Sequence, residues 1–174
     1  MLKKLDDFLI DGLFQKWADA AREKWDVTAF WIAGTLSYVY VGAFLAKKFY
    51  THEFWSELSW NVLILIVWGI MILVFERQDK RAKDTLSRTM SPFRIGGFMV
   101  GRMLMNVLLA INALVLLISL PALFEVPSDL AVRFVVSALL DVLVWSIYYF
   151  SACSTKPKSP KPVVMPAHAV PQST

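Results

Sequence analysis

Asp141 is the residue whose position most demands a chemical explanation. Its neighbours Ala138, Leu139, Leu140, Val142, Leu143 and Val144 are all apolar, and none can satisfy a carboxylate. Inside a membrane helix an acidic residue costs about 2.5–3.5 kcal/mol on insertion scales, so it needs a partner. Arg102 and Asn106 share one helical face at i,i+4 spacing and are the candidates. At 1.5 Å per residue, Asn106 and Asp141 lie roughly 12 and 13 Å from the same end of their apolar runs. The spacing therefore predicts an intramembrane polar cluster of Asp141, Asn106 and Arg102. Ser37 and Tyr38, at mid-depth in the first run, are within reach of it.

Such a cluster has two chemical meanings. As interhelical hydrogen bonding it contributes about 0.6–2 kcal/mol per contact and needs nothing further. As a proton- or ion-handling carboxylate it needs polar residues at successive depths, and only Asn112 and Ser119 extend the path, on the third run alone. Arg133 and Asn61 sit near the opposite end of their runs. Arg133 can snorkel there, and Asn61 is its expected hydrogen-bond partner.

Other site chemistry lacks its residues. His52 and His168 both lie outside the apolar runs, which excludes a paired-histidine haem site within them. Cys153 is the one cysteine, so neither an internal disulfide nor a cysteine cluster for zinc or iron–sulfur can form. It follows Phe150-Ser151-Ala152 as in a lipoprotein box, but after the last run, where it reads as a free juxtamembrane thiol. Neither G-x-x-x-x-G-K-[ST] nor G-x-G-x-x-G occurs, and His52-Glu53 lacks a second histidine at zinc-protease spacing. No catalytic residue, metal site or cofactor is predicted, and the chain is not expected to be an enzyme.

The elements that must position these residues are four apolar runs, 27–46, 58–75, 98–120 and 130–150. Each is close to the roughly 20 residues that carry a helix across a bilayer core. Of the 174 residues 57% are hydrophobic, above the about 45–50% of soluble domains, and mean hydropathy is +0.53. The expected fold class is an all-α integral membrane protein with a four-helix transmembrane bundle over 27–150. The net charge of +4 places basic residues beside the runs, where the phospholipid bilayer, and no nucleic acid, is the partner.

Loop charge orients the runs. Lys3, Lys4, Lys16, Arg22 and Lys24 precede the first run, Arg77, Lys80, Arg81, Lys83, Arg88 and Arg94 separate the second from the third, and Lys156, Lys158 and Lys161 follow the fourth. The opposite side carries Lys47 and Lys48 in its first loop and no Lys or Arg between Pro121 and Asp129. The positive-inside rule places both termini in the cytoplasm, with the chain in a bacterial inner membrane. Trp25, Trp31, Tyr50, Trp55, Trp60, Tyr148 and Tyr149 fall near run ends, where amphipathic rings favour headgroups, while Trp68 and Trp145 lie deeper, as packing residues. The segment before the first run is charged throughout, and that run is expected to be an uncleaved anchor.

Residues 1–26 read as an amphipathic interfacial helix. Leu2, Leu9, Leu13, Trp17 and Ala20 fall on one side, with Ile10, Phe14 and Ala21 alongside, and Lys4, Asp11, Gln15, Asp19 and Arg22 fall opposite; Asp6 and Phe8 break the pattern. The alternating charges of 76–89 predict a solvated extension of the second helix. Residues 151–174, rich in Pro and Ser, are expected to form a disordered cytoplasmic tail. Gly97 and Gly101, and Gly42 and Ala46, have the spacing of helix-packing pairs, as do Ala29, Ala33 and Ser37.

Trp55-Ser56-Glu57-Leu58 leading into Val67-Trp68-Gly69 resembles the start of the second span in the small permease subunits of TRAP transporters. Those are four-helix proteins with cytoplasmic termini. The resemblance covers this stretch and implies a transport component; from Phe124-Glu125-Val126-Pro127 onward the chain departs from the pattern. The residues themselves point to an accessory or scaffold subunit of a larger membrane complex, with a membrane-protein partner or as a homo-oligomer. The alternatives are a TRAP-like transporter subunit that uses Asp141 in coupling, and a phage holin-like pore former.

Overall fold

The computed structural model describes residues 2–84, 90–123 and 128–156. Every helix and strand element among them is helical. An N-terminal segment runs as α1 (Leu2–Phe8), a π-helical stretch (Leu9–Phe14) and α2 (Gln15–Trp25). Four long helices follow: α3 (Ala29–Tyr50), α4 (Leu58–Asp84), α5 (Gly97–Leu123) and α6 (Ser128–Ala152). All four are long and apolar enough to cross a membrane.

Local chemistry sets the boundaries. Asp26 ends α2 in the left-handed conformation, with its N–H on the Arg22 carbonyl and its carboxylate 2.9 Å from the Arg22 guanidinium. The Thr28 hydroxyl then caps α3 by accepting from the Trp31 N–H at 3.1 Å, satisfying a donor that the helix leaves free. His52 ends α3 with φ at 55°, where glycine is usual. Around it the Glu53 N–H bonds the Lys48 carbonyl and the His52 N–H bonds the Phe49 carbonyl, the paired closure of a Schellman turn. Gly96, at φ +75°, makes the turn into α5, and its carbonyl accepts from the Met99 and Val100 N–H groups.

The long helices pack chiefly in the order α4–α3–α6–α5, with α3 against α4 and α6, and α5 against α6. On α3, Ala29, Ala33 and Ser37 are all buried, as their spacing predicts. The edge helices stay open: Val67, Ile70 and Leu73 on α4, and Leu104, Ile111 and Leu114 on α5, are more than half exposed.

The buried core is concentrated at one end. Ile10 and Phe14 of the N-terminal segment meet Phe30, Phe75, Phe93, Ile147, Tyr149 and Phe150 there. Phe14 stacks on Tyr149 with ring centroids 4.9 Å apart and meets Trp145 and Phe150 edge-on, both at 5.0 Å. We call this the capped end, and the α3–α4 turn the far end.

Two expectations change here. The buried stripe of the N-terminal segment is Asp6, Ile10, Phe14, Ala18 and Ala21, with Gln15 and Arg22 also buried, whereas Trp17 is exposed. The sequence pattern sets Ile10, Phe14 and Ala21 alongside the apolar side. The π-helical stretch shifts the register so that the buried face centres on them and takes in Asp6, Gln15 and Arg22, which a uniform 3.6-residue period does not place there. Of residues 151–156, assigned to the tail, Ser151 and Ala152 instead complete α6 and the next three pack against the protein: Ser151, Cys153, Ser154 and Thr155 are buried. Residues 157–174 lie outside the described residues, as do 85–89, the end of the expected α4 extension.

Candidate functional site

Arg102 sits one turn into α5 with a fully buried side chain. A buried guanidinium must find an acceptor for its donors, and four hydrogen bonds supply them. Nε and Nη2 donate to the two carboxylate oxygens of Asp6, both at 3.0 Å; Nη1 donates to the Phe93 carbonyl and Nη2 to the Arg94 carbonyl, both at 2.7 Å. Its guanidinium carbon lies 6.0 Å from the centre of the Tyr149 ring. The site thus joins α1, the turn before α5, α5 and α6.

One turn further along α5, the Asn106 amide donates to Tyr149 Oη at 2.7 Å and its carbonyl accepts from Trp145 Nε1 at 2.8 Å. Asn106 is therefore linked to Arg102 through the Tyr149 ring, and not to Asp141. Asp141 accepts from Asn112 Nδ2 at 2.8 Å, six residues beyond Asn106. The expected three-residue cluster is two separate sites. Equal distance from the ends of two apolar runs does not mean equal depth, because α5 and α6 pack with those ends out of level. Opposite Asn106 stand Trp145 and Tyr149, and Asp141 lies roughly 9 Å away along the axis. Tyr38 bonds Glu76 on α4 at 2.8 Å and Ser37 bonds the Ala33 carbonyl at 2.7 Å, so neither joins either site.

Around the Asp6–Arg102 pair the N-terminal segment is tied down repeatedly. Gln15 and Ser154 bond reciprocally: Gln15 Nε2 donates to the Ser154 carbonyl at 2.8 Å, and Gln15 Oε1 accepts from the Ser154 N–H at 2.9 Å and its hydroxyl at 3.0 Å. Arg94 meets Asp11 at 2.6 Å, and Lys156 pairs with Glu23. Ser91 Oγ donates to the Ser151 carbonyl. At the start of α3, Thr28 Oγ1 donates to Asp79 at 2.5 Å, and Asp79 also holds Lys83 at 2.7 Å. Buried in this region, the Cys153 thiol has its pKa pushed up to about 12 by desolvation, which keeps it protonated and unreactive.

The far end has its own polar set. Lys47 Nζ donates to Ser137 Oγ at 2.6 Å, linking α3 to α6, and its charge acts on Asp141. Lys48 pairs with Glu57 at 2.6 Å and Glu53 at 3.4 Å. The Thr51 hydroxyl and the Lys48 ammonium hold the Glu53 carboxyl below its usual range. Asn61 is buried and donates to the Phe54 carbonyl at 3.0 Å, not to Arg133. Arg133 instead stands 3.9 Å from Glu53.

Of the four predicted packing positions, Gly101 is the one in tight contact: a Cβ there would lie 3.3 Å from Tyr148 Cε1. A Cβ on Gly97 or Gly42 would meet nothing within 4 Å, and Ala46 lines a groove between α3 and α6. Among the described residues no group of three or more His, Cys, Asp or Glu side chains is placed to hold a metal ion.

Sequence reasoning missed Asp6, Gln15 and Thr28 as partners. Asp6 left one signal, as a break in an amphipathic pattern four residues before a buried position. Comparison with protein families, with curated proteins and with solved structures finds no match for this chain.

Proposed function

We propose that the chain is a non-catalytic multi-span protein of a bacterial inner membrane, acting as an accessory or scaffold subunit of a larger membrane complex. Both termini lie in the cytoplasm, so the capped end is the inner one. The loop charges support this orientation, since the basic segments 3–24 and 77–83, together with Arg94, flank the capped end. Leu5, Phe8, Trp17 and Trp25 point away from the protein core on the N-terminal segment, as expected of a helix at the headgroup level.

The observation that carries the scaffold reading is the open order α4–α3–α6–α5. Of the Gly97–Val115 window of α5 only 6% is buried within the chain. Helices that associate inside a bilayer do so by close packing, and an edge helix with so little internal packing offers its face to a neighbour. The internal polar groups also favour scaffolding over conduction. Asn106 is satisfied by Tyr149 and Trp145 and Asp141 by Asn112, in separate sites and not in one continuous polar path.

Purification in mild detergent followed by native mass analysis tests this reading. A partner at fixed stoichiometry, or a homo-oligomer of defined size, is the expected result. A lone monomer that captures nothing overturns it.

A further inference from the structure

A groove of about 440 Å³ opens between α3 and α6 at the far end. Its volume falls within the about 300–1,000 Å³ of ligand sites. Its walls are Ala43 and Ala46 on α3 and Val132 and Val136 on α6, and its rim carries Lys47 and Arg133. Two cations above an apolar slot match an anion joined to a hydrocarbon chain.

The charge balance at the rim favours such a guest. Lys48, Lys83, Lys156, Arg22, Arg94 and Arg102 each meet a carboxylate within 3.4 Å. Lys47 instead donates to the uncharged Ser137 hydroxyl, which in turn donates to the Arg133 carbonyl at 2.8 Å. That chain of bonds fixes the ammonium beside the groove with donors to spare. Arg133 is nearly half exposed and stands 3.9 Å from the Glu53 carboxylate, a charge contact beyond hydrogen-bond distance. Glu53 is shared with Lys48, and the nearby Asp141 is bonded to Asn112. Both cations also lie within about a turn of a helix end, the depth at which basic side chains meet lipid phosphates.

We propose that this groove holds one anionic phospholipid of the outer leaflet, with its phosphate on Lys47 and Arg133 and an acyl chain against Val132 and Val136. The inference rests on the membrane placement and orientation given above. It does not depend on a protein partner, because lipid is added to the purified chain.

The test titrates the detergent-purified protein with phosphatidylglycerol or phosphatidylcholine of identical chains and counts bound lipid by native mass spectrometry. The wild type should retain one phosphatidylglycerol about tenfold more tightly than phosphatidylcholine, as two lipid-facing cations predict. Lys47→Met with Arg133→Met should reduce phosphatidylglycerol to the phosphatidylcholine level, and Val136→Trp, which fills the slot, should lose both lipids. Thermal unfolding of each variant checks that it folds. Equal retention of the two lipids by the wild type overturns the proposal, as does phosphatidylglycerol held above the phosphatidylcholine level by the double methionine variant, or either lipid retained by Val136→Trp. A chain that stays in solution without detergent would instead overturn the membrane placement.

Discussion

Asp6 and Arg102 meet through two parallel hydrogen bonds of 3.0 Å, although they are 96 positions apart and both are fully buried. This is the bidentate geometry in which a guanidinium and a carboxylate bind most strongly. Buried ion pairs are costly to assemble but far costlier to break singly. Asp6→Ala should therefore destabilise the chain by about 3–5 kcal/mol, because Arg102 keeps its charge without its counter-ion. Replacing both, Asp6→Leu with Arg102→Met, should cost much less. Thermal unfolding in detergent measures the difference, and tryptic cleavage at the exposed Lys16 and Lys24 reports release of the N-terminal segment. If the single and double variants melt alike, the pair is not what holds that segment down.

The same end of the molecule protects Cys153. Burial holds the folded thiol's pKa near 12, against an ordinary value of 9.0. A raised thiol pKa favours the protonated form in the folded chain, so the stability it contributes is complete below about pH 9 and is lost as pH rises toward 12. At pH 8 the folded protein should react with maleimide on the order of a thousandfold more slowly than the chain unfolded in dodecyl sulfate, the ratio of the two thiolate fractions. The rates are read from mass increments over time, and equal rates would mean that this end opens freely.

Asp141 has a milder expected role. Asn112 donates to one of its oxygens, and an amide at position 141 still offers an acceptor. Asp141→Asn should fold and assemble like the wild type, whereas Asp141→Leu leaves Asn112 without that acceptor and should cost about 1–2 kcal/mol. Unfolding midpoints and partner recovery check both. Loss of a pH-dependent activity in Asp141→Asn, with folding intact, would move the carboxylate from interhelical bonding to proton handling.

The four long helices were legible because their signal is local: a run of apolar residues closed by charge needs no tertiary information. Arg102 was legible as an intramembrane polar residue, but as a partner for Asp141 and not for Asp6. Asp6 reaches Arg102 because α1 packs against α5, a tertiary contact between segments 96 positions apart. Gln15 on Ser154 was hidden for a related reason. The Pro- and Ser-rich composition of 151–174 describes the tail as a whole, while its first six residues are ordered by one reciprocal side-chain bond and by burial. Asn106 and Asp141 were separated by helix offset, which run boundaries accurate to a turn cannot resolve.

Glycines at helix-packing spacing make the remaining prediction, because here the fold separates positions that the sequence treats alike. Gly101 faces Tyr148 closely enough that a side chain must displace the ring, so Gly101→Leu should cost about 1–3 kcal/mol through overpacking between α5 and α6. Gly97 and Gly42 face open space within the chain. Leucine at either position should leave the unfolding midpoint unchanged or slightly raised, since glycine is a poor helix residue by roughly 0.5–1 kcal/mol. Their exposure makes them informative about assembly: close approach of another helix needs a small residue on its contact face. Gly97→Leu or Gly42→Leu that melts normally yet loses its partner in native mass analysis would place the partner on that edge. A large fall in the midpoint of either variant would contradict the open order α4–α3–α6–α5 itself.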